Sequence, residues 1–125
     1  MKMQIGVWSM GAIFAVAATS ALATGDHDMD MMKLASKSGC VVCHTVAPAK
    51  SADAKPIGPA WLDVAEKYKG DSSASARLTE VVLHGSSPYE SHWKGKVSGL
   101  SMPPNAVAIK PEEASMLVKW ILQLH

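Results

Sequence analysis

Apolar side chains recur at helical spacing in four stretches of the 125-residue chain, with polar connections between them. The first, Asp30–Lys37, puts Met31, Leu34 and Ala35 on one face, with Asp28 or Asp30 as its cap and Gly39 as its stop. In the second, Gly58–Gly70, the apolar face is Trp61, Leu62, Ala65 and Tyr68. Pro59 stands near its start and Gly70 at its end, where helix punctuation places them. Asp71, Ser72 and Ser73 form a capping cluster ahead of the third, Ala74–Leu83, whose buried side is Leu78, Val81 and Val82. The last begins at Pro111 and runs to His125. Glu112 and Glu113 sit at the positive end of its dipole, and its stripe is Met116, Leu117, Trp120, Ile121 and Leu124. No alternating pattern persists anywhere, so the predicted fold class is all-α, with about four short helices.

Two stretches break this pattern. Ser86–Lys110 is rich in glycine, serine and proline and has neither helical nor strand periodicity. A connection of that length inside a small domain points to function. Residues 1–23 carry one lysine, Lys2, then a mostly apolar run from Ile5 to Ala18, then the small-x-small triplet Ala21-Leu22-Ala23. That is the layout of a secretory signal peptide cut after Ala23, with an uncleaved membrane anchor as the alternative. The expected organisation is a signal peptide at 1–23 and one exported domain at 24–125. Loss of Lys2 brings the 12 basic side chains level with the 11 acidic ones. A near-neutral domain without a basic stripe is not a nucleic-acid binder. Helices this short are marginal alone, and a domain of about a hundred residues buries a limited core. Something apolar must fill the middle.

The chemistry concentrates in Gly39-Cys40-Val41-Val42-Cys43-His44, which holds both cysteines of the chain. A Cys40–Cys43 disulfide would close a tiny loop and stabilise little. A redox dithiol of this spacing belongs beside a βαβ pattern, which is missing here, and a structural zinc site needs a second ligand pair. The remaining meaning of C-x-x-C-H is covalent haem attachment, with His44 presented to the iron. Two thiols with two residues between them can reach the two vinyl groups on one porphyrin edge. The haem also supplies the apolar filler that the helices need. The opposite face of the iron requires a second ligand if the site is closed. Among eight methionines, only Met102 lies in a proline-stiffened loop far along the chain, within Ser101-Met102-Pro103-Pro104-Asn105. Met116 is read as core.

GCVVCH, IGPAW, SMPPNAV and a closing helix with the pair Lys119-Trp120, in that order, resemble the class I cytochromes c. The likeness is to the small bacterial c551, c552 and c8 types and covers about Leu34 to Leu124. It implies an all-α class I fold wrapped around one covalent haem c. It implies thioether bonds at Cys40 and Cys43 and iron ligation by His44 and Met102. Pro59 is then the residue whose carbonyl receives the proximal imidazole, and Asn105 one that hydrogen-bonds near the distal sulfur. Trp93 is matched to a tryptophan on a haem propionate, and Trp120 to an aromatic packed on the first helix. The loop 86–101 departs from the pattern by its length. It contains His92, which could compete with Met102 and is read instead as an exposed loop histidine.

The function implied is one-electron carriage in the bacterial periplasm, without substrate conversion by the chain itself. Its partners would be redox proteins, such as a periplasmic dehydrogenase or reductase and a terminal oxidase, with membrane contact only if the export segment is uncut. The alternatives are a cytochrome subunit held permanently by a periplasmic dehydrogenase that oxidises sulfite or an alcohol, and a haem protein with an open sixth position.

Overall fold

The computed structural model describes residues 23–50 and 54–125, so the expected export segment falls outside the described residues except for Ala23. Among the described residues four helices follow in order: α1 (Ala23–Lys37), α2 (Trp61–Lys67), α3 (Ala74–His84) and α4 (Pro111–Ile121). A single 3₁₀ turn, Cys40–Val42, lies between α1 and α2. Among the described residues there is no strand.

Helix α1 is already formed at Ala23, the first residue described in this part of the chain and seven residues ahead of the predicted Asp30. The extension is held from a distance, because the Trp120 indole N–H donates to the Asp28 carboxylate at 2.7 Å and ties the first turns of α1 to α4. The bond also realises the expected packing of Trp120 on the first helix. Helix α2 is shorter than its pattern and begins after Pro59, with Ala60 as the flanking residue. Pro111 opens α4, and the Glu113 carboxylate accepts the Lys110 backbone N–H at 3.1 Å, satisfying one of the donors left open at the helix start.

Helix α4 is the organiser. It packs on α1, α2 and α3. Its inward stripe is Ala114, Leu117, Val118, Trp120 and Ile121, all buried. Met116 is the exception to the predicted stripe, because it is 50 % exposed. It stands two positions beyond Ala114, about 200° around the helix and on the opposite side. Helices α1 and α4 each bring a fully buried alanine, Ala35 and Ala114, so neither imposes a bulky side chain there. Trp61 and Trp120 meet edge to face, with centroids 5.7 Å apart, in the geometry aromatic pairs favour. Each aliphatic side chain taken fully out of water in this cluster contributes roughly 1.5–3 kcal/mol.

The middle of the molecule is hollow. A cavity of about 440 Å³ opens between α2, α3, α4, the 3₁₀ turn and the loop after α3. Leu78, Val81 and Val82, predicted as the buried side of α3, are only half-buried because they face this cavity rather than another helix. Among the described residues no large side chain is completely buried. A core this open needs an apolar group to complete it.

Candidate haem-binding site

The proximal wall is built by a tight turn. Gly39 takes a left-handed conformation (φ 77°) at the end of α1 and starts the 3₁₀ turn. The backbone N–H groups of Cys43 and His44 both donate to the Cys40 carbonyl, at 3.3 and 3.1 Å. This winding leaves both thiols free and half-buried on the cavity wall, while Val42 points outward and is 73 % exposed. Burial pushes the Cys40 thiol upward, partly offset by a backbone hydrogen bond.

His44 Nδ1–H donates to the Pro59 carbonyl at 2.7 Å. The proton is therefore on Nδ1, and Nε2 keeps its lone pair for a metal. Trp61 lies nearly parallel to the imidazole, with centroids 6.1 Å apart and planes at 19°. Burial lowers the pKa of His44 and the Pro59 bond works against that shift, so the neutral form that a ligand requires is favoured. Gly58 makes the approach possible. A Cβ there would lie 2.8 Å from His44 Cε1 and 3.1 Å from the Cys43 carbonyl, to which the Gly58 N–H already donates at 2.8 Å.

The distal wall comes from the connection between α3 and α4. The Met102 N–H donates to Ser86 Oγ at 2.8 Å, and the Ser86 N–H donates to the Met102 carbonyl at 2.9 Å. Two further backbone bonds dock the same segment on the end of α3, Asn105 to Val82 at 3.0 Å and Ala106 to Leu83 at 3.3 Å. Met102 is half-buried and lines the cavity that His44 lines. One amide N–H of Asn105 donates to the Pro103 carbonyl at 2.7 Å, which closes the turn after Met102.

The long loop is pinned across the cavity. Ser98 and Gly99 donate backbone N–H groups to Pro56 and Ile57, at 2.8 and 3.0 Å. Trp93 lines the cavity and carries the Lys67 and Lys96 ammonium groups over its ring, at 5.2 and 6.0 Å from the centroid, in the range of cation–π attraction. His92 is exposed, as read from the sequence, yet it also lines the cavity and its Nδ1 is hydrogen-bonded to the Tyr68 hydroxyl.

All seven residues singled out from the sequence, Cys40, Cys43, His44, Pro59, Trp93, Met102 and Asn105, thus border one cavity. The sequence reading missed three contributors. Gly58 was visible only as part of IGPAW, Gly85 only as a helix stop, and Ser86 carried no signal. The donor set fits a covalently held haem. Two free thiols stand beside a tautomer-fixed imidazole, a thioether shares the cavity, and the hollow is lined by aliphatic side chains of α3 and α4.

An all-helical shell around a C-x-x-C-H turn is the architecture of a class I cytochrome c. A sequence model of the Cytochrome c family matches residues 32–125, and the chain belongs to that family. It is an electron carrier with one covalently attached haem c, not an enzyme. The chain is 37 % identical to cytochrome c-551 of Pseudomonas aeruginosa over 112 residues, covering 89 % of this chain and 93 % of that protein. Among solved structures it is similar to cytochrome c552 of Nitrosomonas europaea, with a TM-score of 0.57, 34 % identity and coverage of 75 % of this chain and 99 % of the other. It is also similar to MtoD, a class 1 cytochrome of Sideroxydans lithotrophicus ES-1, with a TM-score of 0.52, 32 % identity and coverage of 78 % and 96 %.

Proposed function

We propose that the chain is a periplasmic one-electron carrier whose haem iron is held between His44 and Met102. The observation that carries this reading is the pairing of two independently anchored ligand arms on one cavity. His44 is fixed through Pro59 and Met102 through Ser86. The haem supplies an iron that changes between ferric and ferrous states. The chain supplies everything that keeps this change small. Cys40 and Cys43 hold the group at one edge. The Pro59 carbonyl orients His44 and makes it a more basic ligand. The soft sulfur of Met102 favours the ferrous state and raises the potential. By the family resemblance, Asn105 would hydrogen-bond near that sulfur and Trp93 would meet a haem propionate; both residues line the cavity. The aliphatic walls keep water from the iron.

The partners are redox proteins. Val42 stands between the cysteines, and backbone bonds from Gly58 to Cys43 and from Gly99 to Ile57 bring Ile57 toward the same edge; Val42 and Ile57, 73 and 52 % exposed, offer apolar side chains there for a brief encounter. Assignment to the periplasm rests on the export pattern of residues 1–23. The test of ligation is the optical spectrum of the oxidised, haem-loaded protein. A weak far-red band reports a bond between methionine sulfur and ferric iron. The band present in the wild type and lost in Met102→Ala supports the assignment; a wild type without it at neutral pH refutes it.

A further inference from the structure

We propose that Ser86 is the positioning residue for Met102, holding the thioether in place through the methionine's own peptide groups. The inference rests on Met102 being the distal ligand. The sulfur leaves the iron either by rotation of the flexible methionine side chain or by a shift of the Met102 backbone away from the cavity, and the second route is the one the loop controls. Ser86 opposes that motion twice, accepting the Met102 N–H with its hydroxyl at 2.8 Å and donating its own N–H to the Met102 carbonyl at 2.9 Å. Its seat is set by Gly85, which ends α3 at φ 85°. A Cβ on Gly85 would lie 2.9 Å from the Met102 carbonyl and 3.1 Å from the Pro104 ring, so the chain can turn this closely under Met102 only with glycine. The bonds from Asn105 to Val82 and from Ala106 to Leu83 dock the rest of the segment without Ser86. Removing the hydroxyl should therefore loosen Met102 while the loop stays on α3.

The experiment uses haem-loaded protein and three variants. Ser86→Ala deletes the hydroxyl and Ser86→Thr keeps one. Thr79→Ala deletes a hydroxyl that holds no loop residue and donates instead to the Ser75 carbonyl at 2.7 Å inside α3. The readout is the rate at which imidazole replaces methionine on the ferric iron, followed by loss of the far-red band, with the melting temperature measured in parallel. The expected result is imidazole entry about fivefold faster in Ser86→Ala, the effect of one lost hydrogen bond. Ser86→Thr and Thr79→Ala should bind imidazole at close to the wild-type rate, whatever their melting temperatures. The proposal is overturned if Ser86→Ala binds imidazole at the wild-type rate, or if Thr79→Ala accelerates it equally, which would make the effect one of general stability. A wild type without the far-red band overturns the ligand assignment itself and this proposal with it, an outcome distinct from a normal band that Ser86→Ala leaves unmoved.

Discussion

The Tyr68 hydroxyl and His92 Nδ1 lie 2.6 Å apart, a single hydrogen bond between the residue that ends α2 and the loop before Met102. The rings are tilted at 42°, with centroids 6.0 Å apart. Burial raises the pKa of the Tyr68 hydroxyl, so it keeps its proton throughout the neutral range. The bond commits one nitrogen of the histidine that could compete with Met102 to the cavity wall. Tyr68→Phe and His92→Ala should each destabilise the haem-loaded protein by about 1 kcal/mol, with a coupling of about 0.5–1.5 kcal/mol in a double-mutant cycle. Denaturant unfolding measures this. The ferric spectrum should stay unchanged in both, and a far-red band that appears only in His92→Ala would show that His92, not Met102, binds the resting iron.

Gly58 is expected to be intolerant of a side chain. Gly58→Ala places a methyl 2.8 Å from the His44 ring and 3.1 Å from the Cys43 carbonyl, and only backbone movement relieves the contact with that carbonyl. Overpacking of this kind costs about 1–3 kcal/mol. The movement would also lengthen the bond from His44 to Pro59. Denaturant titration should show the loss, and the imidazole N–H resonance of His44 should shift. Wild-type stability in this variant would mean that the Cys43–Gly58 contact is looser than the structure has it.

Asp71 supplies an acid-sensitive contact. Its carboxylate accepts the Arg77 guanidinium at 2.8 Å and the Ser73 hydroxyl and backbone N–H at 2.7 and 2.9 Å. These bonds hold its pKa down to about 2, from an ordinary value of 3.8. A depressed carboxylate stabilises the fold above its unfolded pKa and loses that contribution as the pH falls through its folded one. The wild type should therefore melt higher than Asp71→Asn at neutral pH, and the gap should close between about pH 4 and pH 2. A gap that stays constant across that window would show that the carboxylate charge contributes nothing.

The parts of the site that could be read from the sequence are those carried by a few adjacent residues. Cys40, Cys43 and His44 belong to one turn, and Met102 is marked by the prolines beside it. Long-range features were legible only where the family resemblance carried them, as for Trp120 on the first helix. Asp28, on the part of α1 ahead of Asp30, meets Trp120, 92 residues away. Nothing in the run DHDMDMM announces that partner. Met116 has the right hydrophobicity for the core but the wrong angle on α4, and the true stripe passes through the smaller Ala114 and Val118. Ser86 looks like an ordinary loop serine until the fold brings Met102 onto it. The half-burial of Leu78, Val81 and Val82 follows from a cavity that the helical pattern alone cannot show.

The proposed iron site is closed and passes electrons without binding substrate. The direct test is to add carbon monoxide to the reduced, haem-loaded protein at neutral pH and follow the Soret band. With His44 and Met102 both bound, the spectrum should remain that of the six-coordinate ferrous protein, and Met102→Ala should become reactive. Rapid carbon monoxide binding by the wild type would contradict the account. It would place an open or easily vacated position opposite His44 and make ligand binding the chemistry of this cavity.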